Sequence, residues 1–75
     1  MDATRIETKP DVLGGKPVIR GTRLAVGFVL ELLSNGWTVG DVVDNYPGVE
    51  AEDVRACLAY ASERLRDEDV IPLSA

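Results

Sequence analysis

The chain has no histidine, and it has a single cysteine, tryptophan, phenylalanine and methionine among its 75 residues. Without histidine, the usual zinc ligand and the usual general base are both missing. One cysteine, Cys57, excludes an internal disulfide and reads as a small core residue. No apolar run approaches the length of a membrane span. The longest, Leu24 to Leu33, is broken by Gly27 and Glu31. No charged-then-apolar leader with a cleavage site is present, so the expectation is a cytoplasmic protein with no membrane contact.

Chemistry is scarce for the same reasons. Gly14-Gly15-Lys16-Pro17 lacks the Gly-x-x-x-x-Gly-Lys-Ser/Thr spacing of a phosphate loop and the helix that should follow it. Cys57 falls on an apolar helical face with no visible base. Asp67-Glu68-Asp69 could hold a metal weakly, but consecutive acids at a helix end point in different directions, which favours a solvated run. The reading is therefore of a protein that is not an enzyme and takes no cofactor and no metal.

A domain of this size buries only about 60% of its unfolded surface, so dimerisation or a bound partner would help it. The formal net charge of -5 conceals two ends of opposite sign. From Met1 to Arg23, five cations oppose three acids; from Leu24 onward, three arginines oppose ten acids. That division points to two surfaces with different partners. Any DNA contact must be local and should weaken steeply with salt.

Along the chain, residues 4 to 25 alternate short extended pieces with turns. Gly14-Gly15-Lys16-Pro17-Val18-Ile19-Arg20-Gly21-Thr22-Arg23 packs glycine, proline and cations between apolar flanks. It reads as a shaped basic turn, or equally as an ordinary hairpin whose charges keep it soluble. Val26, Val29, Leu30 and Leu33 then recur on one helical face, stopped by Asn35-Gly36. A second helix opens at Thr38, with Asp41 three residues on as a capping partner. Its apolar face is Val39, Val42, Val43 and Tyr46, and Pro47-Gly48 ends it. A third helix from about Ala51 to about Asp67 carries Glu52 and Asp53 in its first turn. The sequence places Val54, Cys57 or Leu58, Ala61 and Leu65 on its buried side. Trp37, directly before the capping Thr38, should staple across the end of the first helix or anchor a subunit interface.

Three helices with two short, sharp connections have the dimensions of a helix-turn-helix. The third helix presents Glu52, Arg55, Ala59, Ser62 and Arg66 to solvent, a stripe able to reach bases or phosphates, or simply a solvated face. Glu52 and Asp53 stand at the end that would enter a groove and would repel phosphate. Lys16, Arg20 and Arg23 could compensate if they flank the same surface.

The order Leu13-Gly14-Gly15-Lys16-Pro17-Val18-Ile19-Arg20-Gly21-Thr22-Arg23, then Leu32-Leu33-Ser34-Asn35-Gly36-Trp37, Tyr46-Pro47-Gly48 and Glu52-Asp53-Val54-Arg55-Ala56 resembles the small bacterial and archaeal proteins grouped as domain of unknown function 433. The resemblance runs from about Arg5 to Leu73. It implies a mostly α, homeodomain-like three-helix fold with a short N-terminal β-arm, and pairing with a small toxin similar to the PIN-domain ribonucleases. As in VapB-type antitoxins, one part would dimerise and bind operator DNA while a C-terminal segment blocks the toxin's acidic active site. Carried over by position, Arg20, Arg23 and Lys16 become phosphate contacts, and Arg55 and Ser62 lie on the recognition helix. Arg64, Arg66, Val70, Ile71 and Leu73 face the toxin. The chain departs from the family in opening the third helix with Glu50-Ala51 rather than Ser or Thr followed by Pro, which should weaken its cap and make that end more acidic.

The expected organisation is one domain over residues 1–67, with a β-arm at 1–25 and a helical core at 26–67, followed by a partner-binding tail at 68–75. The expected function is the antitoxin of a type II toxin-antitoxin pair that inhibits a PIN-like ribonuclease, forms a homodimer and represses its own operon. The alternative is a stand-alone helix-turn-helix regulator without a toxin, and a third option is a structural dimer or adaptor that binds only protein.

Overall fold

The computed structural model describes residues 5–66. Two strands, β1 (Ile6–Glu7) and β2 (Val18–Ile19), precede three helices: α1 (Val26–Ser34), α2 (Val39–Asn45) and α3 (Ala51–Leu65). The expected mostly helical domain with an N-terminal hairpin is the architecture found. β1 and β2 pair antiparallel with Ile6 opposite Ile19 and Glu7 opposite Val18, and the Arg20 amide extends the ladder by donating to the Arg5 carbonyl at 2.8 Å. Between the strands, Leu13–Gly15 forms a 3-10 turn.

The Arg20-Gly21-Thr22-Arg23 turn has a definite lock. Gly21 takes φ +80°, the left-handed region where a side chain is disfavoured. The Thr22 hydroxyl donates to the Ile19 carbonyl at 2.8 Å and accepts from the Leu24 amide at 2.9 Å. The chain thus doubles back, Ile19 and Leu24 are joined by a backbone bond, and the Val26 amide donates to Pro17 at 2.9 Å. α1 therefore begins fastened to the arm.

The helix ends follow the sequence signals. Beyond α1, Gly36 has φ +99°; its amide donates to Leu33 and the Trp37 amide donates to Leu32. Both are the reverse-turn bonds that satisfy the last carbonyls of a helix. At α2, the Asp41 amide donates to the Thr38 hydroxyl at 3.0 Å and the Thr38 amide to the Asp41 carboxylate at 2.8 Å, the reciprocal capping box expected of that spacing. Gly48, at φ +93°, turns the chain into α3.

The core is Ile19, Val26, Val29, Val42, Val49, Val54 and Cys57, with Ile6, Leu24, Trp37, Tyr46 and Tyr60 among the half-buried residues packed on it. Cys57 lies in it, as read. Trp37 packs against it and stands 6.3 Å from the Tyr46 ring. On α3 the choice between Cys57 and Leu58 falls to Cys57, buried with Asp53, Val54 and Ala56 while Leu58 is 46% exposed, and one expectation fails: Leu65 is 57% exposed. The helix is rotated so that its inner face runs through Val54, Cys57 and Tyr60, because β1 packs against its first turns as well as α1 and α2. Residues 62 to 66, at its C-terminal end, are exposed.

Candidate interaction surfaces

Arg5 clamps the arm to α3. Its Nη1 lies 2.9 Å from Asp53 Oδ1 and 3.2 Å from Glu50 Oε1. The other oxygen of Asp53 accepts the Glu50 amide at 2.8 Å, closing the first turn of α3. Asp53 is only 7% exposed. The hydrogen bonds that the Arg5 guanidinium donates to the Asp53 and Glu50 carboxylates hold it above its ordinary pKa, so it stays charged throughout.

This corrects one reading of the sequence: Asp53 does not face a groove as a phosphate-repelling charge; it is buried and paired. At the Glu50-Ala51 opening the Asp53 carboxylate takes the Glu50 amide, while the Asp53 amide donates to the Glu50 carbonyl at 2.9 Å. The pairing spans 48 residues, and no local pattern announces it. Arg5 read only as one of several N-terminal cations.

The outward face of α3 is self-paired. Arg55 Nη1 meets Glu52 at 3.3 Å and Arg66 Nη1 meets Glu63 at 2.6 Å, each one helical turn away. The Arg64 guanidinium lies over the Tyr60 ring, 5.6 Å from its centroid, within cation–π range. Ser62 is exposed between them. Leu58 and Leu65, seven residues apart, lie along one side of this face.

The arm cations lie elsewhere. Lys16 borders a shallow groove formed with Pro17, Phe28 and Glu31 of α1. Arg23 borders a second, formed with Leu24, Tyr46, Pro47 and Val49. The Phe28 and Tyr46 rings touch edge to face with centroids 6.0 Å apart, so the two grooves adjoin across an aromatic ridge. Neither Lys16 nor Arg23 pairs with a carboxylate among the described residues. Arg20 is exposed on the same turn as Arg23. The grooves are walled by α1 and the α2–α3 connection, and neither Arg55 nor Ser62 is among the residues lining them. Phe28, 41% exposed, is the residue the sequence analysis passed over; its place off the Val26-Val29-Leu33 stripe was the available signal. Val70, Ile71 and Leu73 lie outside the described residues. Among those described, no cluster of three or more metal-ligating side chains occurs, and no helix is long and apolar enough to cross a membrane.

Comparison with known proteins follows this geometry closely. A solved structure of a DUF433 member from Anabaena variabilis is similar to the chain with a TM-score of 0.78 at 32% identity, covering 83% of this chain and 61% of that one. The uncharacterized protein y4eO of Sinorhizobium fredii is 38% identical over 56 residues, which are 75% of this chain and 25% of that protein. The chain thus spans about a quarter of the length of that curated relative. The family model described as "Protein of unknown function (DUF433)" matches residues 6–61, from the first strand almost to the end of α3, and the chain belongs to that family.

Proposed function

We propose that the chain is the antitoxin of a type II toxin-antitoxin pair, and that α3, together with residues 70–73 of the sequence, binds and inhibits a PIN-like ribonuclease. The observation that carries this reading is the outer side of α3, where Leu58 and Leu65 are half exposed on one helix, Phe28 of α1 being the other large apolar helix residue exposed among those described. An exposed i, i+7 apolar pair is what a helix presents to a protein groove. Arg64, placed over Tyr60 and paired with no acid among the described residues, suits pairing with the carboxylates that hold magnesium in such a nuclease. Arg66 joins it once its contact with Glu63 is exchanged.

The operator-binding reading, in the same protein or as a stand-alone regulator, draws on Lys16, Arg20 and Arg23 of the arm. It draws less on α3, whose Arg55 is held by Glu52 and whose groove-facing residues include that acid. Autorepression therefore stands second.

The test is co-expression with the product of the adjacent gene, followed by size-exclusion chromatography with light scattering. A stable complex is expected for the native chain, and its loss in Leu58→Glu/Leu65→Glu with unchanged helical circular dichroism. No complex with the native chain, or full binding by the double variant, would remove the reading.

A further inference from the structure

We propose that a second copy of this chain docks on the α1 face centred on Phe28, α1 against α1 and antiparallel, to form a two-fold dimer. The interface uses no residue of α3 and does not rest on a toxin partner.

The shape of the face suits a copy of itself. Phe28 is 41% exposed, and its ring is braced by the edge-to-face contact with Tyr46, which lowers the entropy lost on docking. Beside it runs an apolar groove lined by Pro17, Ala25 and Gly27, with Lys16 and Glu31 also bordering it. A projecting ring next to a recess is self-complementary, as an isologous contact requires. Gly27 belongs to that recess for no reason internal to the described residues. It lies within α1, it does not take a left-handed angle, and a Cβ built on it would meet nothing within 4 Å. Glycine is a poorer helix former than alanine, so its use here is to leave room for a group from outside the chain.

Charge selects the second copy. Lys16 and Glu31 are exposed, and neither forms an ion pair among the described residues. The bond from the Val26 amide to the Pro17 carbonyl holds the Lys16-Pro17 segment beside the first turn of α1. Glu31 lies three residues beyond Phe28 and Ala25 three before it, about 4.5 Å along the axis on either side. The cation and the acid therefore flank Phe28 from opposite ends of the groove. A half-turn about an axis through Phe28, perpendicular to the helix, sets Lys16 of each copy against Glu31 of the other, and the pair is made twice. Each Phe28 ring then lies over the Gly27 recess of the other copy. A uniformly acidic or uniformly basic partner would instead leave one of the two charges facing its like. Two chains of net charge -5 repel overall, and a face where one cation balances one acid is where they can meet.

The experiment is sedimentation equilibrium of the full chain across a dilution series, repeated on Gly27→Leu, Lys16→Glu, Glu31→Lys and the double variant Lys16→Glu/Glu31→Lys. The native chain should approach twice its 8.1 kDa as concentration rises. Gly27→Leu fills the recess from within, where the monomer has open space, and improves the helix. It should keep native helical circular dichroism yet stay at the single mass. Each single charge reversal sets like charges together twice across the axis and should raise the dissociation constant about tenfold. The double variant restores both attractions and should return the native value, and an equal mixture of the two single variants should recover the doubled mass. Recovery in either case excludes misfolding as the cause of the single-variant losses. A native chain monomeric at every concentration, a Gly27→Leu chain that keeps the doubled mass, or a double variant no tighter than the singles would overturn the proposal. So would a dimer that ignores all four variants and is lost in Leu65→Glu, which would place the interface on α3 instead.

Discussion

At the residue scale, the pairing of Arg5 with Asp53 and Glu50 carries more of the architecture than its exposure suggests. Asp53 is nearly buried, and a buried carboxylate that loses its cation keeps its desolvation cost without compensation. Arg5→Met should accelerate amide exchange across the Ile6–Ile19 pair and lower thermal stability, while Glu50→Gln, which removes only the more exposed partner, should do less. Equal exchange in both variants would show that the clamp does not hold the arm. Cys57 offers a second test. Burial, assisted by Asp53, pushes its thiol up to about 11. The folded chain therefore holds that proton more tightly than the unfolded chain does. The contribution to stability is present below the ordinary thiol pKa and falls away as pH rises from about 9 toward 11. Chemical denaturation across that range, compared with Cys57→Ala, reads it as a pH slope that the variant lacks. Neither property was legible locally: Cys57 could be placed in the core from its spacing, but a partner 48 residues from Arg5 leaves no periodic trace.

At the scale of elements, the sequence was most legible where a single residue type has one physical use. Asn35-Gly36 stops α1 because Gly36 takes a left-handed angle with open space around it, and Thr38 with Asp41 starts α2 because the two caps are reciprocal. Gly36→Ala should then cost about 1 kcal/mol from backbone strain alone, and Thr38→Ala about 1 kcal/mol from the lost cap. Each should lower the melting temperature by several degrees; a change under one degree in either would contradict the bonding described. α3 was less legible. Its boundaries were close, but a 15-residue helix with apolar residues at Val54, Cys57, Leu58, Ala61 and Leu65 allows two neighbouring faces to read as core. The arm decided between them by packing against the first turns, a tertiary effect that helical periodicity does not contain.

At the scale of the molecule, the opposed charge of the two ends was visible in the sequence, and the structure resolves it into separate surfaces. Lys16 and Arg23 border the aromatic ridge, while the arginines of α3 sit among their own acids or on Tyr60. Replacing Arg20 and Arg23 with alanine should weaken any operator binding about equally across DNA sequences and flatten its salt dependence. Unchanged binding in a salt titration would remove the arm from the DNA contact.

The clamp between Arg5 and Asp53 also bears on how the chain acquires its shape. It joins the first described residue to a helix near the other end, enclosing α1, α2 and both turns. Contacts so far apart are costly in loop entropy until the intervening segments are ordered. The helices, capped by neighbouring residues, can form early, and seating of the arm against α3 belongs to the last stage. Removing Arg5 should therefore leave the refolding rate nearly unchanged and speed unfolding, the signature of an interaction made after the barrier is crossed.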